Sequence, residues 1–246
     1  MKLKRMAAWM GLVVVVSSAS ALAGPADYVY TPHVEYGERE IDFKSGTGLV
    51  PGKDREHVSS LGVGYGATDY WFTELYLKRE TAGREGLSIA EFENKFQLTE
   101  TGKYPVDVGI ITEIEAPLQG GHPYEFKFGP LLQTDLGKLQ LNANVLFEST
   151  FGGGDKQEHI TKAGYQWQAK YRWRPALEFG AQGIGEVGQW DHWDDSDAQK
   201  HRLGPAVFGK IALGNQKAIR YNAAWLFGVS DAAEKHTIRA QVEYEF

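Results

Sequence analysis

The sequence predicts an all-β fold, a twelve-stranded antiparallel transmembrane β-barrel. Three observations predict it. From residue 28 onward hydrophobicity alternates with period two and shows little helical periodicity. Such runs recur twelve times, most of about 10–14 residues, longer than the globular mode and near the length that crosses a bilayer at a tilt. The connections between them are short after the even strands and mostly longer and more polar after the odd ones, so the two ends of the barrel differ.

The first 23 residues stand apart. Lys2, Lys4 and Arg5 form a positive start, Ala7 to Val16 an apolar run, and Ala21-Leu22-Ala23 a small-residue cleavage site. That order is a secretory signal peptide, residues 1–23, leaving 24–246 as the barrel. Its removal leaves 23 basic against 32 acidic residues, a net charge of −9. So acidic a chain lacks the basic footprint that nucleic-acid binding requires. With no cysteine there is no lipid anchor at the cleavage site, no disulfide framework and no zinc–thiolate site. No later run of about 18 apolar residues offers a membrane helix.

Taken in order, the first strand spans 28–44 and is irregular. Val34 and Tyr36 share a face with Ile41 and Phe43 only if a bulge intervenes at Gly37. Pro32 marks an unpaired start, and Arg39 is then left facing lipid or at a rim. The second, third and fourth strands span 56–66, 70–80 and 87–100. In the fifth, 106–117, Val108, Ile110, Ile114 and Ala116 alternate with Asp107, Glu113 and Glu115. The sixth spans 124–134. The seventh, 138–149, sets Leu139, Leu141, Ala143, Val145 and Phe147 against Gln140, Asn142, Asn144 and Glu148. The eighth, 161–173, is the clearest: Ala163, Tyr165, Trp167, Ala169, Tyr171 and Trp173 alternate with polar residues or glycine. The ninth and tenth span 176–187 and 202–213. The eleventh, 217–229, sets Ile219, Tyr221, Ala223, Trp225 and Phe227 against Arg220 and Asn222, and the twelfth spans 236–246.

Tight turns such as Asp135-Leu136-Gly137, Arg174-Pro175 and Gly214-Asn215-Gln216 follow even strands, whereas SGTGLVPGKDR, FGGGDKQEH and GQWDHWDDSDAQKH follow odd ones. Short periplasmic turns and longer extracellular loops are the arrangement of outer-membrane barrels. Aromatics including Tyr70, Trp71, Tyr104, Tyr171 and Trp173 gather at the short-turn end, as a girdle requires.

The chain closes on Ile238, Ala240, Val242, Tyr244 and Phe246, alternating with Thr237, Arg239, Gln241, Glu243 and Glu245. This ending resembles the C-terminal β-signal of bacterial outer-membrane proteins, whose last strand ends in Phe. The resemblance implies insertion by the barrel-assembly machinery, contact with outer-membrane lipids and a place in a Gram-negative outer membrane. It implies no substrate.

By alternation, the inward face of the first half carries Glu35, Glu40, Asp42, Glu74, Glu91, Glu93, Glu113 and Glu115. That of the second half carries Lys170, Arg172, Lys210, Arg220 and Arg239. A lumen acidic on one side and basic on the other orients dipolar solutes and sets ion selectivity. The expectation is a passive channel for small hydrophilic or charged solutes, with no cofactor. The alternative is that the charges pair across the lumen and leave a filled structural or docking barrel, since twelve strands lie between small filled barrels and wide porins.

Two further constellations carry possible chemistry. His57-Val58-Ser59 places His57 and Ser59 on the lipid side near the long-loop end. The pair is similar to the His-x-Ser of outer-membrane phospholipase A and lipid A deacylase, with His as base and Ser as nucleophile. Those families usually follow the Ser with Asn, whereas this chain has Ser60, and no third group to orient His57 is evident. In the loop QWDHWDDSD, Asp191, Asp194 and Asp195, with Asp197 and His192, offer metal ligands, but their spacing does not match the calcium loop pattern. A solvated loop is the simpler expectation there.

Overall fold

The structure is a computed structural model that describes residues 22, 24–49, 52, 54–153 and 159–246. Among these residues twelve strands form: β1 (Arg39–Leu49), β2 (Glu56–Thr68), β3 (Trp71–Ala82), β4 (Glu85–Gln97), β5 (Asp107–Pro117), β6 (Tyr124–Leu136), β7 (Leu139–Phe151), β8 (Thr161–Arg174), β9 (Leu177–Gln189), β10 (Lys200–Gly214), β11 (Lys217–Gly228) and β12 (His236–Glu245). Each pairs antiparallel with its sequence neighbours. β12 returns to β1, from Glu245 opposite Glu40 to His236 opposite Leu49, so the barrel is closed and leaves no free edge. Full closure also satisfies the backbone where no water would be present.

The period of two sorts the side chains. Outward positions such as Ile41, Phe43, Leu61, Val63, Leu75, Leu77 and Ile114 are exposed and apolar. Inward ones such as Asp42, Glu93, Asn142, Asn144, Gln166, Gln182 and Arg239 are buried and polar. An apolar outer band around a polar interior inverts a soluble protein and matches a barrel in lipid. Aromatic pairs border the band: stacked Trp71–Phe96 and Tyr244–Phe246 at the short-turn end, stacked Tyr124–Phe151 and tilted Trp225–Phe227 at the other.

The turns obey local chemistry. Asn215 and Gln216 link β10 to β11 with φ of 53° and 62°, the left-handed pair that a two-residue hairpin needs. Gly83-Arg84 makes an equally short hairpin on the long-loop end, between β3 and β4. The β4–β5 connection, residues 98–106, is longer than the predicted Thr101–Pro105 turn. It is organised by side chains: the Gln97 amide donates to the Thr99 carbonyl, and the Asp107 carboxylate accepts from the Gly102 N–H.

The first strand departs from expectation. The wall begins at Arg39, not residue 28, and continues to Leu49 through residues read as a loop. At Gly37 (φ 79°) the chain turns instead of bulging, with the Glu38 N–H donating to the Glu35 carbonyl. Residues before that turn run inside the barrel. Glu35, expected on the lumen wall, instead belongs to this segment and is exposed at the short-turn mouth. Arg39 sits at the rim, its guanidinium 6.0 Å from the Tyr65 ring centre. The predicted leader lies outside the described residues apart from Leu22.

Candidate functional site

The interior is charged, and its charges are mostly paired. Glu40, Asp42, Glu74, Glu91, Glu93, Glu113 and Glu115 all point inward from β1, β3, β4 and β5 and are each less than one-tenth exposed. Burial of a lone charge is costly, so partners are required. The Lys78 ammonium bonds Glu115 and lies 3.3 Å from Glu80 and 3.8 Å from Glu91, while Lys127 reaches Glu113 at 2.8 Å. Lys44 lies between the Tyr28 and Tyr76 rings, 4.0 and 3.8 Å from their centres, and 3.5 Å from Asp42.

The expected basic residues lie on β8, β10, β11 and β12. Lys170 pairs with Glu178 at 3.2 Å and Arg172 with Asp135 at 2.8 Å. Lys210 and Arg220 converge on Glu245 at the short-turn mouth, and Arg239 is buried with its guanidinium donating to Gln182. A belt of carboxamides that sequence reading did not single out joins the two sides across β6–β9. Asn142 donates to Gln133 at 2.9 Å and accepts from Gln140 at 2.8 Å; Gln182 donates to Gln168 at 2.6 Å.

The lumen is not empty between them, because the N-terminal segment crosses it. From the turn at Gly37 the chain passes inward, where His33 meets Asp107 at 2.9 Å and the Val34 N–H donates to Gln97 at 2.8 Å. Deeper, Tyr30 is anchored three ways: its hydroxyl donates to Glu113 (2.9 Å), its N–H to Gln166 (3.3 Å), and its carbonyl accepts from Asn144 (3.0 Å). The Tyr28 hydroxyl donates to Glu93 at 3.1 Å. Near the long-loop end the Gly24 carbonyl accepts from Arg202 at 3.1 Å. Tyr30 and Leu22 pack on an inward apolar patch of Ile111, Leu131 and Leu146.

Wall glycines make room for this backbone. A Cβ on Gly46 would stand 2.0 Å from the Pro25 carbonyl oxygen, and one on Gly109 would stand 2.9 Å from Pro32. On Gly66 it would collide with the Glu35 carbonyl. The segment is therefore fitted to the wall: backbone bonds between Gly66 and Gly37–Glu38 hold its turn, while at Gly46 and Gly109 no backbone bond reaches it among the described residues. Its ties are mainly side-chain bonds and packing.

Between the segment and the long-loop end of β1–β6 lies a cavity of about 650 Å³. Its floor includes Tyr28 and Tyr30, and its walls carry Glu56, Ser60, Lys78, Glu91, Glu115, Glu125 and Lys127. This vestibule has room for a guest.

The other sequence candidates fall elsewhere. His57 and Ser59 do face outward near the long-loop end. The His57 ring Nδ1 is 2.9 Å from the Thr47 hydroxyl, and among the described residues no hydrogen bond joins it to Ser59. Asp191, Asp194 and Asp195 do not converge. The Asp194 N–H donates to the Val187 carbonyl and the Asp195 carbonyl accepts from Ala198, bonds that shape the loop. Among the described residues the carboxylates close enough to share an ion are Glu91, Glu113 and Glu115, within 4.8 Å of one another, and lysines already serve them.

Solved structures share this architecture. An outer membrane channel from Pseudomonas putida F1 superposes with a TM-score of 0.57 over 89% of this chain and 98% of its own, at 11% identity. The NanC porin does so with a TM-score of 0.54 over 84% and 98%, at 12% identity. The translocator domain of the autotransporter NalP from Neisseria meningitidis gives 0.52 over 87% and 89%, at 12% identity. No protein-family model matches the sequence, and no curated protein does. At these identities the likeness establishes the fold: the chain is a closed twelve-stranded β-barrel of the outer-membrane kind.

Proposed function

We propose that the protein is a passive outer-membrane channel for small hydrophilic solutes, with a preference for cations, whose lumen is closed at rest by its own N-terminal segment. The observation that carries this reading is the way residues 24–36 sit: they fill a polar lumen through side-chain contacts that can be exchanged for water, outside the strand ladder. Twelve strands about 4.8 Å apart and tilted by about 40° enclose a backbone cylinder roughly 12 Å in radius. That leaves an aqueous path once the segment withdraws.

The charge pattern supports the cation preference. Carboxylates on β1–β5 face cations on β8–β12, with neutral carboxamides between, so a solute crosses a transverse field. At the vestibule the acids are in excess, and carboxylate rings favour cations. Two of the structural neighbours are named a porin and an outer membrane channel, which agrees with this reading. The filled-barrel alternative draws on the same ion pairs, which could lock the segment permanently. Planar-bilayer recordings of the full chain and of a variant lacking residues 24–36 separate the two. A gated channel conducts more after deletion, and a permanently filled barrel stays silent in both.

A further inference from the structure

We propose that the vestibule at the long-loop end is a binding site for an aliphatic diamine or polyamine. The proposal rests on the channel reading only for the passage of the bound guest; occupancy itself requires no conduction.

Its lining holds nine carboxyl groups against four lysines, and Glu234 among them is paired with Arg202 at 3.1 Å. The excess is concentrated in Glu56, Glu85 and Glu125, none of which forms an ion pair or side-chain hydrogen bond among the described residues. Besides these acids, Ser60 lines the cavity with 6% of its surface exposed, and its hydroxyl has no partner among the described residues. That hydroxyl is open to the cavity and offers an acceptor to a donor from a guest. An ammonium group, with three donors and no acceptor, answers both the carboxylates and the hydroxyl.

The chain's own lysines show what this wall accepts. Glu91, Glu113 and Glu115 are close enough together to hold a metal ion, yet the Lys78 ammonium reaches Glu115 and Glu91, and the Lys127 ammonium reaches Glu113. A divalent ion would have to displace one ammonium and remain beside the other. Glu56 and Glu85 lie away from that trio beyond an apolar wall of Val58, Leu87 and Ile89, while Glu125 stands beside its cross-strand partner Glu115, next to Pro117 and Pro123. Methylene groups between two ammonium groups would bury against such a wall, whereas an inorganic cation gains nothing from it. A cavity of about 650 Å³ is within the range of small-molecule sites.

The test is isothermal titration calorimetry on detergent-purified full-length protein with putrescine and spermidine as probes, and with potassium, magnesium and glucose as comparisons. The expected result is saturable binding of spermidine, weaker binding of putrescine and weakening by salt. The E56Q/E125Q double variant should lose at least tenfold in affinity. Ser60→Ala should lose several-fold, while Glu100→Gln in the β4–β5 connection leaves binding unchanged. Heat-modifiable migration on gels confirms that each variant is folded. Absence of spermidine binding, equal affinity for magnesium, or an unchanged E56Q/E125Q variant would each overturn the assignment. Because calorimetry reads occupancy and bilayers read conduction, failure here is distinct from failure of the channel reading.

Discussion

Replacing Gly46 by alanine should open the lumen without damaging the wall. Gly46 faces inward from β1, paired with Arg239 of β12 and Val58 of β2, and those backbone contacts do not depend on its side chain. The new methyl would lie 2.0 Å from the Pro25 carbonyl oxygen, 2.3 Å from its carbon and 2.6 Å from the Ala26 nitrogen. Restoring an ordinary contact of 3.4 Å from 2.0 Å requires the segment to retreat by about 1.4 Å, and the opposing atoms are backbone, not a flexible side-chain end. Overpacking of this kind costs about 1–3 kcal/mol. At 1.4 kcal/mol per decade, that shifts the displaced-to-seated ratio by roughly fivefold to somewhat over a hundredfold. Nearby, the bond from Arg202 to the Gly24 carbonyl would be strained by the same retreat. Single-channel recording in planar bilayers reads the effect as a rise in open-time fraction. A folded Gly46→Ala barrel with wild-type open time, and a Gly46→Leu barrel no different, would refute the reasoning.

Three other outcomes are expected. Tyr30→Phe keeps the ring but loses the hydroxyl bond to Glu113, which Lys127 still holds; at about 1.5 kcal/mol for a bond to a charged group, open time should rise about tenfold in the same recordings. Leu61→Arg places a charge on the outward face of mid-β2 and should cost about 2–4 kcal/mol in a bilayer, read by denaturant titration in lipid vesicles; no loss would mean that this face does not meet lipid. Removing Phe246 deletes the N–H that donates to the Arg39 carbonyl and the ring stacked on Tyr244. The amount of barrel assembled in cells should fall severalfold while refolding into lipid in vitro is retained, and equal loss in both would point to closure of the barrel instead of recognition by the assembly machinery.

The wall was legible because its rule is local. Alternation such as that of Ala163 to Trp173 marks a strand with two unlike faces, and the strands after the first follow from it, whereas the first was read from residue 28 and begins at Arg39. The contents of the lumen were less legible because they depend on what meets across the barrel. Residues 28–36 alternate well enough to pass for strand, and nothing within them says that Tyr28 and Tyr30 will bond Glu93 and Glu113, 65 and 83 positions away. Two signals for that placement do lie in the sequence. Apolar doublets at Ile110-Ile111, Leu131-Leu132 and Val145-Leu146 put an oily residue on the charged face, where it needs an apolar partner inside. Glycines at inward positions 46, 66 and 109 trace the path of the segment that they admit. The pairing of Lys78 and Lys127 with acids on β4 and β5 likewise needs register, which alternation alone does not supply. His57 was read on the correct face, but its partner, Thr47, comes from the adjoining strand through the register of β1 with β2.

The central claim is that this barrel is a cation-preferring channel closed by its N-terminal segment, and one measurement tests it most directly. A folded variant lacking residues 24–36 is reconstituted in planar bilayers across a potassium chloride gradient, with the full chain alongside. Steady conductance is expected from the variant, little from the full chain, and a reversal potential of the sign set by potassium. A silent variant, or a reversal potential of the sign set by chloride, would contradict it.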